Sequence, residues 1–121
     1  MTYKYQLSDD TWGKEEINAI LEVITSGKFT MGDRVKAFEK AFSEYFGSKY
    51  AIMVNSGSSA NLVLISALLY SGKINKGDEI IVPAVSWSTT YFPLIQNGLK
   101  IKFVDIDRET LNIDISKLER A

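Results

Sequence analysis

The chain has 121 residues and a formal net charge of −1, with 45% hydrophobic and 24% charged residues, an ordinary globular composition. This length predicts about one domain, and the lack of a basic excess argues against nucleic acid as a partner. The 121 residues include no cysteine and no histidine, which excludes disulfides, thiolate metal sites and imidazole chemistry within them.

Neither a leader nor a membrane segment is evident in the sequence. The first residues, MTYKYQLSDD, lack the charged and then apolar pattern of a signal peptide. No apolar run approaches the ~20 residues that a membrane-spanning helix needs. We therefore expect no membrane partner and a reducing compartment, with the cytoplasm as the predicted location.

Two amphipathic helices are predicted in the first part of the chain. Asp10 or Thr11 can cap the first helix, whose apolar residues recur at helical spacing until Gly27. After the link KFTMG, a second stripe begins at Val35 and ends before Gly47. The apolar stripes consist of Ile17, Ile20, Leu21 and Ile24 and of Val35, Phe38, Phe42, Tyr45 and Phe46.

Three short strands are predicted in the rest of the chain, at residues 50–54, 79–82 and 99–103. The first is an apolar run and the second is halted by Pro83. In the third, apolar residues alternate with lysines, which predicts one drier face. Helices between such strands are typical of a parallel sheet with right-handed crossovers.

Two helices are predicted between these strands. Residues 62–69 are apolar nearly all round, so this helix needs cover on several sides. The other helix can be capped by Ser86, Ser88 or Thr89, and Pro93 must lie in its first turns or kink it.

A last helix is predicted from the capping box that Ser116 and Glu119 form. A helix of roughly one turn is marginal by itself. Three strands are also few for a parallel sheet, which normally has both faces covered. We therefore expect these 121 residues to be the front of a longer protein.

A small-residue elbow, NSGSS at residues 55–59, separates the first predicted strand from its helix. Amide groups at a helix N-terminus favour anions, and Gly57 lets a ligand approach the backbone closely. Ser58 adds a hydroxyl donor. Neither G-x-G-x-x-G nor G-x-x-x-x-G-K-[ST] is present. The elbow is either a phosphate site or an ordinary turn with a serine cap.

Trp87 lies in a second polar loop, within PAVSWSTTYFP at residues 83–93. Both loops follow predicted strands, and ligands of open α/β sheets bind at the carboxyl ends of the strands. The indole can stack on a planar ligand or instead fill the core beneath the loop. Asp105 and Asp107 are more typical of turn hydrogen bonding than of a metal pair, so no metal site is predicted.

Most of the chain resembles one family. The segments TMGDRVKAFEKAFSEYFGSKYAIMVNSGSSANL and KGDEIIVPAVSWSTTYFPLIQNGLKIKFVDIDRETLNIDISKLERA are similar to the N-terminal part of the DegT-type sugar aminotransferases. The resemblance implies an α/β fold with three layers and a mostly parallel sheet, as in the large domain of fold-type-I transferases that depend on pyridoxal phosphate (PLP). Residues 1–31 would be an N-terminal helix and link, and residues 32–121 the first portion of the PLP-binding large domain.

The same resemblance assigns roles to individual residues. Gly57 and Ser58 match the loop that binds the cofactor phosphate, and Trp87 matches the aromatic residue that stacks on the pyridine ring. The segment FTMG at residues 29–32 matches one that approaches the sugar nucleotide. The residue that decides the chemistry, a lysine in the aminotransferases or a histidine in related dehydratases, falls beyond residue 121. No catalytic residue is therefore expected within this chain, and the chain alone should be inactive.

FTMGDRVKAFE, SGSSANL and PAVSWSTTY are most similar to the sugar-nucleotide 3-dehydratases of this family. That similarity implies loss of the C3 hydroxyl from a nucleotide-linked 4-keto-6-deoxy-hexose in deoxysugar and polysaccharide biosynthesis. It also implies PLP, used in its pyridoxamine phosphate (PMP) form during turnover, glutamate as the amine donor, and a homodimer. Two alternatives stay open, a sugar-nucleotide aminotransferase and a non-catalytic small α/β module that binds a phosphorylated ligand.

Overall fold

The computed structural model describes residues 8–121. The chain forms two compact units, Met1–Ile52 and Met53–Ala121. The predicted division into residues 1–31 and 32–121 stays a prediction. Within residues 8–121, no helix combines the length and the apolar character needed to cross a membrane.

The first unit contains helices α1 (Lys14–Ser26) and α2 (Asp33–Phe46). Both predicted ends are confirmed, because Gly27 and Gly47 follow the helices with φ of 67° and 66°. This left-handed conformation closes a helix and is accessible to glycine at little cost.

The predicted cap of α1 is wrong, since Gly13 occupies that position instead of Asp10 or Thr11. Asp10 lies three residues before Gly13, and its Oδ1 accepts a hydrogen bond from Trp12 N at 2.9 Å. Glu16 compensates for the missing cap side chain, because its Oε2 accepts from Gly13 N at 2.6 Å. This bond holds the pKa of Glu16 below its ordinary value.

The second unit alternates helices and strands around a small parallel sheet. Its elements are α3 (Gly57–Tyr70), β1 (Glu79–Pro83), α4 (Ser88–Gln96), β2 (Lys100–Val104) and a 3-10 helix (Ile115–Arg120). In the sheet, Glu79 lies opposite Lys100 and Pro83 opposite Val104. Its core consists of Val82, Leu94 and Leu99, with Ile65, Ile74, Ile80, Tyr91 and Ile101 packed against them.

The strand predicted at residues 50–54 is wrong, because this segment has no regular secondary structure. A strand needs a neighbour to accept and donate its backbone hydrogen bonds. In the part of the chain that the structure describes, β1 and β2 pair with each other, and residues 50–54 pair with neither of them. Ile52, at the middle of that apolar run, is 77% exposed.

Two smaller expectations also fail. Phe103 was placed on the drier face of β2, but it is exposed, while its neighbour Val104 is buried. The last helix is not capped by Ser116, because Asp114 Oδ1 accepts from Ser116 N at 3.0 Å and the 3-10 helix begins at Ile115.

Candidate functional site

The small-residue elbow forms the first turn of α3. This helix begins at Gly57, five residues before its predicted start, and Ser56 is its N-cap. Ser56 uses both of its oxygens, since Oγ accepts from Ser59 N at 3.2 Å and the carbonyl oxygen accepts from Ala60 N at 3.0 Å. The amides of Gly57 and Ser58 belong to the first turn and have no carbonyl four residues back in the helix.

The space and the charge around this first turn suit an anion. A Cβ atom added at Gly57 would meet nothing within 4 Å, so its backbone faces open space. The first turn of α3 contains no acidic residue. The positive end of the helix dipole is therefore not neutralised by a carboxylate, and an anion can approach the backbone amides.

Trp87 is on the surface, so the interpretation that it fills the core is wrong. Its side chain is 70% exposed. It lies four residues after the end of β1 and is the N-cap residue of α4. Its carbonyl oxygen accepts from Thr90 N at 2.9 Å, which fixes the backbone while the indole stays accessible.

Three hydrogen bonds hold the loop that carries Trp87. Ala84 N donates to Val104 O at 2.7 Å, which continues the sheet past the end of β1. The phenolic O–H of Tyr91 donates to Pro83 O at 2.6 Å. Ser86 Oγ donates to Thr90 Oγ1 at 3.2 Å. The exposed indole is thus attached to an ordered backbone.

The elbow and the start of α4 lie at the same end of two neighbouring helices. Asn61, in the second turn of α3, donates from Nδ2 to Thr89 O in the first turn of α4 at 3.3 Å. A groove of about 250 Å³ between the helices is lined by Ser58, Ser59, Leu62, Thr89, Phe92, Pro93 and Gln96. The structure therefore brings the first turn of α3 next to the turn that follows Trp87.

The segment at residues 29–32 lies in the first unit and is described by itself. Met31 has a φ of 44°, a rare conformation for a residue with a side chain. The segment borders a groove of about 270 Å³ between the end of α1 and the start of α2. Two exposed ion pairs flank it, Lys28 with Asp33 at 3.4 Å and Arg34 with Glu22.

The acidic residues after β2 form turns around one lysine. Asp107 Oδ1 accepts from Glu109 N and Thr110 N at 3.0 and 2.8 Å, the pattern of a turn. Lys117 Nζ bridges Asp105 and Asp114 at 3.1 and 3.2 Å. The hydrogen bond from Lys117 holds the pKa of Asp105 below its ordinary value, and that of Lys117 is raised by the same bond and by Asp114.

The open start of α3 and the exposed ring of Trp87 lie beside the parallel unit β1–α4–β2, an arrangement typical of α/β proteins that bind a ligand at the edge of the sheet. Comparison with known proteins identifies the family. The chain belongs to the DegT/DnrJ/EryC1/StrS aminotransferase family, whose model matches residues 10–121.

Individual relatives are similar across almost the whole chain. It is 59% identical to GDP-4-keto-6-deoxy-D-mannose 3-dehydratase of Yersinia pseudotuberculosis, over 97% of this chain and 30% of that protein. The structure matches that of E. coli GDP-4-keto-6-deoxy-D-mannose-3-dehydratase with bound hydrated PLP, with a TM-score of 0.90 and 58% identity over 98% of this chain and 31% of the other. A structure of GDP-4-keto-6-deoxymannose-3-dehydratase with a trapped PLP–glutamate geminal diamine matches with a TM-score of 0.90 and 57% identity, over 98% and 31% of the two chains.

These comparisons confirm the resemblance to the DegT-type family and to its 3-dehydratases. They also confirm the predicted fold class, because the chain is α/β with a parallel sheet and its structural neighbours are PLP-dependent enzymes of fold type I. The chain spans 30% of the length of the Yersinia relative.

Proposed function

We propose that this chain is the N-terminal part of a PLP-dependent dehydratase that removes the C3 hydroxyl from a GDP-linked 4-keto-6-deoxy-hexose. The observation that carries the proposal is the pairing of the open first turn of α3 with the exposed Trp87, in a chain 59% identical to a 3-dehydratase. The substrate class follows from the names of the relatives, which act on GDP-4-keto-6-deoxymannose.

Gly57 and Ser58 are proposed to bind the cofactor phosphate. Their first-turn amides can donate to phosphate oxygens, and the serine hydroxyl adds a further donor. The residues fit this group because the space beside Gly57 is empty and no carboxylate in the first turn repels a dianion. The cofactor phosphate would accept hydrogen bonds from the first-turn amides of Gly57 and Ser58, to which Ser56 does not bond.

Trp87 is proposed to lie against the face of the pyridine ring. An indole is large and flat, and its 70% exposure leaves a face available for stacking. When bound, PLP supplies an electron sink that lets a C–H bond next to the reacting carbon be broken. The contribution of Trp87 is to orient that ring and to exclude water from one side of it.

The proton transfer itself is proposed to depend on a residue outside this chain. The 121 residues contain no histidine, so a histidine base must come from the remainder of the longer protein. In this proposal the present chain binds and orients the cofactor. Glutamate is proposed as the amine donor, supported by the PLP–glutamate adduct in a relative. A homodimer and the division at residues 31 and 32 are proposals that rest on the family resemblance.

The test is the product made by the full-length protein. We expect the enzyme, loaded with PLP and given glutamate and GDP-4-keto-6-deoxymannose, to release a 3-deoxy sugar that contains no added nitrogen, measured by mass spectrometry. An amino sugar as the only product would contradict the dehydratase and would support the alternative.

That alternative is a sugar-nucleotide aminotransferase, which the name of the family favours. It predicts a lysine, instead of a histidine, at the deciding position beyond residue 121. The third candidate, a non-catalytic module, has less support because the relatives with 57–59% identity are enzymes.

A further inference from the structure

One carbonyl group in the first turn of α4 has lost its usual partner. Pro93 is the sixth residue of this helix and is buried. Proline has no N–H, so it cannot donate to the carbonyl four residues earlier, which is that of Thr89. Thr89 is a half-buried residue, and its carbonyl oxygen is left able to accept from a donor outside α4.

Asn61 of α3 supplies that donor. Its Nδ2 lies 3.3 Å from Thr89 O, although the two residues are 28 positions apart in the sequence. Asn61 is four residues after Gly57, so it lies one turn along the same face of α3. Thr89 is two residues after Trp87. The bond therefore connects the proposed phosphate-binding turn to the turn that carries the proposed stacking residue.

We propose that Asn61 is a positioning residue for the cofactor, because it fixes the start of α3 relative to the start of α4 through the carbonyl that Pro93 leaves free. This inference rests on the proposed function. A phosphate and a pyridine ring in one molecule are a fixed distance apart. A protein that binds both must therefore hold its phosphate turn and its indole at a matching separation.

The other end of the same helix pair provides a matched control. Ser66 Oγ donates to Asn97 Oδ1 at 2.9 Å, which also connects α3 to the end of α4. This bond is half-buried and lies away from Gly57 and Trp87. Ser66→Ala removes a bond between the same two helices without touching the end at which the cofactor is proposed to bind.

The experiment compares Asn61→Leu with Ser66→Ala in the full-length protein loaded with PLP. Leucine branches at Cγ as asparagine does, favours helix and cannot donate. We expect Asn61→Leu to speed cofactor loss on dilution between about two- and tenfold, the range for one hydrogen bond, and to change the visible circular dichroism of the bound ring. Ser66→Ala should leave both unchanged while lowering the thermal transition. Asn61→Gln, which retains the donor, should recover part of the wild-type retention.

A second variant tests the role of proline. Pro93→Ala provides the N–H that can bond to Thr89 O within α4, so adding Asn61→Leu to it should change cofactor loss less than Asn61→Leu does alone. An equal effect in both backgrounds would overturn the role given to the free carbonyl.

The remaining outcomes separate the two proposals. If the wild-type protein retains PLP and Asn61→Leu behaves like Ser66→Ala, the positioning role is wrong and the proposed function stands. If the wild-type protein binds no PLP, the proposed function is wrong and the positioning role falls with it.

Discussion

Tyr91 donates its phenolic O–H to the carbonyl oxygen of Pro83 across 2.6 Å, which joins α4 back to the last residue of β1. The loop between these two residues carries Trp87. The Tyr91 ring also meets Phe103 of β2 edge to face, with 5.4 Å between the ring centroids. An exposed indole is thus held at a fixed place by a half-buried phenol that packs against the core.

Tyr91→Phe should loosen this loop and leave the packing of the ring unchanged. Loss of one hydrogen bond should lower the free energy of unfolding by about 1 kcal/mol. Chemical denaturation of the full-length protein measures this, and Tyr70→Phe is the control, because Tyr70 is 94% exposed. Equal stability of the two variants would contradict the anchoring role of Tyr91.

Trp87→Ala should separate binding from folding. The side chain is 70% exposed, so its loss leaves no cavity and should change the free energy of unfolding by less than about 0.5 kcal/mol. The same change should release PLP on dialysis, whereas Trp87→Phe should retain part of it.

The cofactor absorbance after dialysis is the measurement for these Trp87 variants. Trp12→Ala is the control, because Trp12 is also exposed but lies in the first unit. An unchanged absorbance in Trp87→Ala would remove the stacking role.

Local signals in the sequence predicted the helices well. Gly27 and Gly47 end α1 and α2 because the left-handed residue that closes a helix is a property of the glycine itself. The strand at residues 50–54 failed for the opposite reason. Its apolar residues are compatible with a strand, but a strand also needs a neighbour, and hydropathy carries no information on which neighbour is present.

The residues proposed for the site were chosen from the sequence, and their arrangement in space could not be predicted from it. The expectation that Gly57 and Trp87 share an edge relied on two strands, of which the structure contains only the second, β1. The two residues nonetheless lie at one end of the α3 and α4 pair, where Asn61 meets Thr89. The position of Pro93 four residues after Thr89 was the one sequence signal for that contact, since it marks a carbonyl that is left able to accept from an outside donor.

Gly57→Ala should weaken phosphate binding without harming the fold. A Cβ at this position meets nothing within 4 Å in the protein, and alanine favours helix over glycine by up to about 1 kcal/mol, so stability should be unchanged or higher. The methyl group would instead occupy the space proposed for the phosphate.

The dissociation constant for PLP should therefore rise in Gly57→Ala. The matched control ligand is pyridoxal, which lacks the phosphate and should bind equally to both proteins. Equal weakening for both ligands would contradict a phosphate contact at Gly57.

Lys117→Met, which removes both the charge and the donor, should raise the pKa of Asp105 towards its ordinary value of 3.8, because the hydrogen bond from Lys117 is the largest cause of the lowered pKa. A carboxyl group whose pKa is lowered in the folded state stabilises the fold at pH values above its ordinary pKa. This stabilisation is lost as the pH falls through the folded-state pKa. Lys117, whose pKa is raised in the folded state, stabilises the fold at pH values below its ordinary pKa of 10.5. This stabilisation is lost as the pH rises through the folded-state pKa of Lys117.

The ion pairs of Lys117 with Asp105 and Asp114 therefore stabilise the protein in the pH range between the ordinary pKa of the carboxyl groups and that of the lysine. Carboxyl carbon shifts followed against pH measure the Asp105 titration directly. Lys73→Met is the control, because Lys73 follows α3 and takes no part in the ion pairs of Lys117. A similar Asp105 titration in both variants would assign the depression to the backbone amide of Ile106 instead.

Expressed by themselves, the 121 residues should self-associate. Within residues 8–121 the buried apolar residues are Val82, Leu94, Leu99 and Val104, all in the second unit. On α2, by contrast, Phe38, Phe42 and Phe46 form an exposed ladder, with ring centroids 5.6 and 4.5 Å apart. Exposed apolar patches of this kind drive association in water.

Sedimentation and binding of a hydrophobic dye would measure this association. Phe42→Ser, at the middle of the ladder, should reduce the association, and Lys36→Ser, on the same helix but outside the ladder, should not. A monodisperse monomer with a sharp, reversible thermal transition would contradict the prediction. It would mean that the exposed apolar residues of α2 do not cause association in water.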